Sequence, residues 1–352
     1  MVRFRRFAAI TVPLIAAALA LGCGARRPPL RLGAAPKLVW PAAPEPPRVQ
    51  LLGRLPAEGD ALAIARPVAI AVARDERVLV TDAAEAALHV FDFEDREHRV
   101  VRAHGDRPFL APVGVAVDDV GRSYVADAEA GLIAVFAPDE QFERRIEGLR
   151  RPTGLAIDRE RGLLYCVETA AHVVRQMDLG GRELRRLGGP GTAPGRLSYP
   201  TFAAVDPRGR LLVADSLNGR VAIFEPDGRF AGVVGQPGVS SGDLARPKGV
   251  AADGEGHIYV ADAVFGNVQV FDAGGALLLY LGENGAKPGQ LWLPSGLAID
   301  ERDRLFVANT FNGRVDVFQY LRAPAPEASR RRASLSPEAS RRRASLSTEV
   351  AR

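Results

Sequence analysis

The chain has 352 residues, of which 47% are hydrophobic and 25% are charged, values typical of a folded globular protein rather than a disordered one. Its formal charge of +4 comes from the two ends, because residues 23–318 carry 35 Lys and Arg against 39 Asp and Glu. This mildly acidic body argues against nucleic-acid binding by the folded part. The two cysteines, Cys23 and Cys166, predict no disulfide framework.

The first 22 residues have the order of an export signal. Three arginines precede an apolar run over residues 7–21, which is too short to span a bilayer that requires about 20 residues. The run ends in "LALGC", which resembles the lipobox of bacterial lipoproteins, where the cysteine becomes the lipid-modified first residue. We therefore predict lipid attachment at Cys23, with an ordinary cleaved signal as the alternative. Gly24 favours the outer membrane over the inner membrane of a bacterial cell envelope.

The next segment, residues 23–47, is rich in proline, as in "PAAPEPPR". Such a chain is extended and cannot form a core of its own. We predict a spacer that holds the following domain away from a membrane.

A repeated unit occupies most of the remaining chain. The hairpin phrase "VADSLNGRVAIF" at residues 213–224 returns as "VANTFNGRVDVF" at 307–318. Each unit opens on a proline followed by an alternating apolar strand; the six prolines are Pro67, Pro112, Pro152, Pro200, Pro247 and Pro294. Four short strands at a period of 40–48 residues are typical of a β-propeller blade. The fold class predicted is all-β, a six-bladed β-propeller with four antiparallel strands per blade.

The ends of the repeat predict how the ring closes. After Phe318 the sixth unit has no good fourth strand, whereas "RVQLLGRL" at residues 48–55 is a strand with no unit of its own. We predict that this N-terminal strand completes blade six, so that the propeller spans residues 48–320. Closure removes the free strand edges that invite aggregation.

The stretch "GENGAKPGQLWLPSGLAIDERDRLFVANTFNGRVDVF" at residues 282–318 closely resembles an NHL repeat, and residues 188–224 are similar to it. The resemblance covers residues 49–320 and is strongest in units four to six. It implies an NHL propeller. These are mostly binding platforms for protein partners or RNA, with some enzymes among their relatives.

An acidic or amide side chain ends the second strand of every unit: Asp82, Asp127, Glu168, Asp215, Asp262 and Asn309. A short acceptor at this place can accept hydrogen bonds from backbone N–H groups of the following turn. Catalytic residues do not normally occur once per blade, so we interpret the aspartates and Asn309 as structural turn caps. Glu168 is the departure whose longer side chain fits this role less well.

The turns after these caps lie on the same face as the loops between blades, which is the usual ligand face of a propeller. These loops are long before blades one, four, five and six and short before blades two and three, which predicts a groove, with drift in a tolerant loop as the alternative. Aromatic and cationic departures from the repeat predict a partner-contact patch made of Tyr199, Phe202, Lys248, Phe265 and Phe311. For Phe202 the alternative is a ring that fills the mouth of the channel.

Catalytic and metal motifs are weak in this sequence. No two of the five histidines have a metal-ligand spacing, and Cys166 within a predicted strand is expected to be a buried small hydrophobe. Gluconolactonase-type propellers hold a divalent cation with acidic and Asn side chains, for which only Glu168 and Asn309 are candidates here. We predict no cofactor, with Ca²⁺ or Zn²⁺ in the central channel as the alternative.

The C-terminal segment, residues 321–352, contains "PEASRRRASLS" twice in direct succession. Its basic, Ser-rich, low-complexity composition predicts a disordered tail.

Together these features predict a monomeric, lipid-anchored binding scaffold of the cell envelope that docks a protein partner, and no nucleic acid, on its loop-rich face. The alternative is a metal-dependent lactonase or lyase that acts in the central channel, although the sequence favours a non-enzyme.

Overall fold

A computed structural model of the chain describes residues 32–57, 63–95 and 97–321. The predicted signal, the lipid-attachment residue Cys23 and nearly all of the predicted tail lie outside these ranges. Within them, no helix has the length and apolar character needed to cross a bilayer.

The described chain forms six blades, five of them four-stranded antiparallel sheets and the sixth a sheet of six strands, which confirms the predicted propeller. Three strands precede the first blade: β1 (Gly33–Ala34), β2 (Val39–Trp40) and β3 (Val49–Leu55). Blade one is β4 (Pro67–Val72), β5 (Val78–Asp82), β6 (Ala87–Asp92) and β7 (Glu97–Val101). A short hairpin of β8 (Ala103–His104) and β9 (Arg107–Pro108) leads to the next blade.

Blade two is β10 (Pro112–Val117), β11 (Ser123–Asp127), β12 (Leu132–Phe136) and β13 (Phe142–Ile146). Blade three is β14 (Pro152–Asp158), β15 (Leu163–Glu168), β16 (Val173–Asp178) and β17 (Glu183–Gly188). Blade four is β18 (Pro200–Val205), β19 (Leu211–Asp215), β20 (Arg220–Phe224) and β21 (Phe230–Val234). Blade five is β22 (Pro247–Ala252), β23 (Ile258–Asp262), β24 (Asn267–Phe271) and β25 (Leu277–Leu281). Blade six contributes β26 (Pro294–Ile299), β27 (Arg304–Asn309) and β28 (Arg314–Tyr320).

Three 3₁₀ helices occupy turns between the second and third strands. They are η1 (Thr169–Ala171), η2 (Ser216–Asn218) and η3 (Thr310–Asn312), in blades three, four and six.

The N-terminal strand closes the ring, as the sequence predicts. β3 pairs antiparallel with β28, with Leu55 opposite Val315 and Val49 opposite Tyr320. Its side chains alternate between buried and half-buried, the period of a strand with one face on a core. Two further strands, which the sequence analysis did not predict, pair with β3, and Trp40 of β2 packs edge-on against Phe318 at 5.6 Å between ring centroids.

The hydrophobic core lies between neighbouring blades rather than within any one blade. Each cluster of buried side chains draws on two or more blades; for example, Tyr124 and Ile133 of blade two pack with Leu164 and Met177 of blade three. A blade alone therefore cannot bury both of its faces.

Close contact of the inner strands explains why glycine recurs two residues after the opening proline. A Cβ added at Gly114 would lie 1.8 Å from the Thr153 carbonyl oxygen of the next blade, and one at Gly249 would lie 2.0 Å from the Ser295 oxygen. No side chain fits at these positions. Ala69 and Phe202 occupy the equivalent positions in blades one and four.

Candidate functional site

The repeated aspartates bind backbone N–H groups on the loop-rich face. In blade one, Asp82 is fully buried and accepts hydrogen bonds from the N–H groups of Ala65 (2.6 Å), Arg66 (3.1 Å), Ala84 (2.8 Å) and Glu85 (3.0 Å). Burial alone would raise the pKa of this carboxyl group, but the backbone hydrogen bonds outweigh it and lower the pKa below the ordinary 3.8. The carboxylate thus ties the incoming loop to the turn of its own blade.

Glu168 and Asn309, the two departures from the aspartate series, also accept a backbone hydrogen bond from the incoming loop. Glu168 accepts from the Arg150 N–H at 2.7 Å and from the Arg175 side chain at 2.8 Å, although its other oxygen, Oε2, is buried without a hydrogen-bond partner. Asn309 accepts from the Trp292 N–H at 2.8 Å and donates to Asp316 at 2.6 Å. An amide fits blade six because Asp316 already supplies a buried carboxylate there.

The two candidate metal ligands, Glu168 and Asn309, do not converge on one site. Glu168 and Asn309 belong to blades three and six, on opposite sides of the ring, and each is bound by its own blade. Within the described ranges, no group of three or more His, Cys, Asp or Glu side chains could hold a metal ion. The channel mouth on the loop-rich face instead presents Arg151 and Lys248, and cations of this kind repel Ca²⁺ or Zn²⁺.

Large apolar side chains stand exposed on the loop-rich face over blades four, five and six. We call this set the apolar arc; it consists of Tyr199, Leu217, Val264, Trp292, Leu293 and Phe311, which are each 37–57% exposed. The Trp292 and Phe311 rings lie 5.7 Å apart, and the Arg66 guanidinium lies 5.4 Å from the centre of the Phe311 ring. Leu217 and Phe311 occupy the middle of η2 and η3, so the turns themselves hold these side chains in solvent.

The loops that support the arc share one construction. The long loops before β18, β22 and β26 each contain a parallel bridge, formed by Pro190 with Leu197, Pro237 with Leu244, and Asn284 with Leu291. The arc therefore rests on a repeated scaffold over blades four to six, the side of the ring where loop length predicts the taller rim.

Three residues directly before an opening proline have left-handed backbone conformations. These are Arg151, Tyr199 and Leu293, with φ of 54°, 49° and 51°. This conformation is uncommon for residues other than glycine, and the position before a proline favours extended backbone. Strained backbone of this kind persists only where the surrounding structure holds it in place, and it is found most often at binding and active sites.

Of the five predicted contact residues, Tyr199 and Phe311 lie in the arc and Phe265 is half-buried beside Val264. Lys248 lines the channel mouth. Phe202 is only 9% exposed, and its ring packs in the hydrophobic cluster of blades one and two on the far side of the channel. The geometry of Phe202 corresponds to the alternative interpretation, a ring that fills the mouth.

The channel along the ring axis contains two cavities. The upper cavity, on the loop-rich face, has a volume of about 530 Å³ and is lined by the starts of the inner strands and by Phe202. The lower cavity, at the opposite end, has about 310 Å³ and is lined by the ends of those strands. Charges at the lower opening neutralise one another, since Arg74 lies 3.4 Å from Asp119 and 3.6 Å from Glu301.

Sequence reasoning missed one histidine pair in blade one. His89 Nδ1 and His98 Nε2 lie 3.0 Å apart, although nine residues separate them in sequence. Burial first, and then the proximity of His89, lowers the pKa of His98 to about 4, and burial also lowers the pKa of His89. Cys166 is fully buried, as predicted, and burial raises the pKa of its thiol.

Parts of this chain are similar in sequence to known proteins. Residues 67–242 match the family model described as the SMP-30/Gluconolactonase/LRE-like region. The E3 ubiquitin-protein ligase NHLRC1 of Mus musculus is 36% identical over 108 residues, which are 29% of this chain and 26% of that protein. The chain thus spans about a quarter of the length of that curated relative. This likeness confirms the NHL-type repeat.

Solved structures confirm the propeller fold. A gluconolactonase from Xanthomonas campestris superposes with a TM-score of 0.61 at 18% identity, over 84% of this chain and 99% of that one. An auxiliary nutrient binding protein from Bacteroides ovatus superposes with a TM-score of 0.60 at 13% identity, over 78% and 72%. These identities are low enough to show the fold alone. Because the family model covers half of the chain and begins at the opening proline of blade one, the chain belongs to the SMP-30/gluconolactonase/LRE-like family.

Proposed function

We propose that this protein is a non-catalytic binding scaffold that docks a protein partner on the apolar arc of blades four to six. The observation that carries the proposal is the exposure of six large apolar side chains on the loop-rich face over blades four to six, whereas among the described residues the loops of blades one to three expose Leu110. Contiguous exposed apolar surface rimmed by polar residues is typical of interaction sites. The two similar structures include an enzyme and a binding protein, so fold alone does not decide between these classes.

Charge around the arc indicates the partner's chemistry. Arg66 covers Phe311, and Arg196 and Arg246 are exposed on the loops that adjoin the arc. Aromatic residues and arginine are the types enriched at the energetic centres of protein interfaces. The complementary surface is a protein segment with apolar side chains to cover the rings and acidic side chains to pair with the arginines.

The metal-dependent lactonase or lyase has less support. Such an enzyme requires convergent acidic ligands, whereas the channel mouth presents Arg151, Lys248, side-chain hydroxyl groups and a single acid, Glu129. No observation in the described residues favours that activity over binding.

The test is the paired substitution Trp292→Ala with Phe311→Ala. Loss of these two aromatic anchors is expected to weaken the complex about 500-fold or more, since each such anchor contributes roughly 2 kcal/mol or more. The matched control is Tyr280→Ala, which removes an aromatic ring that is 59% exposed on the outer strand β25, away from the arc. The partner is identified by crosslinking in the producing cell, purified and titrated against each variant by calorimetry.

Equal affinities for the arc variant and the Tyr280 control would rule out docking at the arc. So would a purified partner that binds only through the hairpins of the opposite face.

We further propose that docking takes place at the outer membrane of a bacterial envelope, with the chain attached through lipid on Cys23. Substitution Cys23→Ala is expected to abolish incorporation of labelled fatty acid and to release the protein from the membrane fraction, because an acylated cysteine is the only anchor that this proposal invokes. Fractionation with fatty-acid labelling measures both effects. Unchanged membrane association of the unlabelled variant would refute lipid anchoring.

A further inference from the structure

The side-chain hydroxyl groups that line the upper cavity already donate their protons in hydrogen bonds to backbone carbonyl oxygens. Thr153 donates to the Thr201 carbonyl oxygen of the next blade at 2.9 Å, Thr201 donates to the Lys248 oxygen at 2.9 Å, and Ser295 donates to the Val68 oxygen at 2.8 Å. These hydroxyls connect inner strands of neighbouring blades at three places around the ring, from β14 to β18, from β18 to β22 and from β26 to β4. With these hydroxyl protons engaged, the cationic side chains of Arg151 and Lys248 are the side-chain donors that line the cavity without a hydrogen bond among the described residues.

Lys248 occupies a position where the other five blades have valine, threonine or serine. It is half-buried in the cavity wall. Burial lowers the pKa of its ammonium group, and the positive charges of Arg246 and Arg151 lower it further. Arg151 and Lys248 thus line one small volume and repel each other, and the charge of Arg246 acts on Lys248 from outside the cavity lining.

No acidic side chain neutralises these cations within the described part of the chain. Neither Lys248, Arg151 nor Arg246 has a carboxylate within 4.0 Å, in contrast to Arg74 and Arg159 at the lower opening, which share Asp119 at 3.4 Å and 3.7 Å. Glu129 is the single acid among the described residues that line the upper cavity. The acidic and basic side chains at the lower opening therefore balance one another, whereas the upper cavity has an excess of positive charge.

A further part of the cavity wall is apolar. Phe202 forms part of it, together with Val68, Val113 and Ala111. A volume of about 530 Å³ falls in the range of small-molecule sites, which typically combine apolar walls with a few placed polar groups. Inorganic anions would satisfy the cations but leave this apolar wall uncovered.

We propose that the upper cavity binds a small organic carboxylate, with its carboxylate between Lys248 and Arg151 and its apolar body against Phe202. The planar guanidinium of Arg151, which is exposed, suits two-point recognition of a carboxylate, and the half-buried Lys248 supplies a point charge. This site shares no residue with the apolar arc, so the proposal of carboxylate binding can be tested independently of protein docking.

The test is calorimetric titration of the partner-free protein with phenylacetate, with phenylacetamide as the uncharged analogue. Phenylacetate is expected to bind and phenylacetamide to bind at least about tenfold more weakly, because a charge-assisted hydrogen bond contributes more than a neutral one. Lys248→Met and Arg151→Gln are each expected to weaken phenylacetate binding by at least about tenfold. Lys248→Met is expected to keep or raise the unfolding temperature, because it removes repulsion without removing a partner.

The matched control is Lys287→Met, which removes the same charge from an exposed loop on the same face. It is expected to leave phenylacetate affinity unchanged, and Glu129→Gln is expected to leave it unchanged or tighter. Absence of phenylacetate binding by the folded protein would overturn the proposal. Equal affinity of wild type and the folded Lys248→Met and Arg151→Gln variants would also overturn it, as would inorganic phosphate that binds as tightly as phenylacetate.

Discussion

A chain that begins at residue 57 is expected to lose cooperative folding, whereas a chain that begins at residue 47 keeps it. The difference between the two is strand β3, which buries Val49, Leu51 and Leu55 to 3% exposure or less in blade six. Each such side chain contributes about 1.5–3 kcal/mol, so the strand contributes an amount comparable with the whole stability of a typical domain, about 5–15 kcal/mol. Its removal also leaves the edge of β28 unpaired.

Urea unfolding followed by circular dichroism measures the effect, with a chain that begins at residue 32 as the reference. The chain that begins at residue 47 loses β1 and β2, including the Trp40 contact with Phe318, and is expected to be less stable but still cooperative. If the chains that begin at 47 and 57 unfold at the same urea concentration, the ring does not depend on β3 for its closure.

Substitution Asp82→Ala is expected to destabilise the protein by about 3–5 kcal/mol, the cost typical of removing one partner from a buried charged network. The carboxylate receives four backbone N–H groups, and alanine would leave all of them without this acceptor. Asp82→Asn keeps one acceptor oxygen and is expected to lose roughly half as much. Thermal and urea unfolding at neutral pH measure these losses.

The control is Asp227→Ala, which removes an exposed aspartate that accepts one N–H group, from Arg229 at 2.9 Å, in a hairpin of the opposite face. Its cost is expected to be below about 1 kcal/mol. Because the pKa of Asp82 is lowered on folding, its stabilisation is fully present above the ordinary value of 3.8 and disappears as the pH falls through the folded value. The stability gap between wild type and Asp82→Asn should therefore narrow in acid. A gap that widens in acid, or an Asp82→Ala loss no larger than the control, would show that the aspartate is not a turn cap.

Repetition makes the architecture predictable from sequence. Six opening prolines, one capping side chain per unit and a lone strand before the first unit are enough to give blade number, strand order and ring closure. The role of the aspartates is predictable for the same reason, since a residue that recurs once in every blade is expected to have a structural role within the blade.

The candidate sites are harder to predict, because they depend on departures from the repeat. Leu217, Val264 and Phe311 share one position, two residues after the cap, where blades one to three have Ala84, Glu129 and Ala170. Comparison of that single column would have revealed the apolar arc, of which sequence analysis found only Tyr199 and Phe311.

Other features require the three-dimensional arrangement. The Phe202 ring packs with the cluster of blades one and two, across the channel from its own blade. Lys248 of blade five lies near Arg151 of blade three at the upper cavity, so its nearest charges there are positive. Neither relation is visible along the chain, since Phe202 lies 66 to 133 residues from the other buried members of that cluster and Lys248 lies 97 residues from Arg151, and these groups meet only in the closed ring.

The most direct test of docking on the loop-rich face is photocrosslinking from one position on each face in intact cells. A photoreactive residue at Val264 is expected to give one discrete protein adduct, which Trp292→Ala with Phe311→Ala suppresses. The same residue at Val120, which is 65% exposed on the opposite face, is expected to give no such adduct. An adduct from Val120 with none from Val264, or an adduct at Val264 that persists in the Trp292 and Phe311 variant, would contradict docking at the apolar arc.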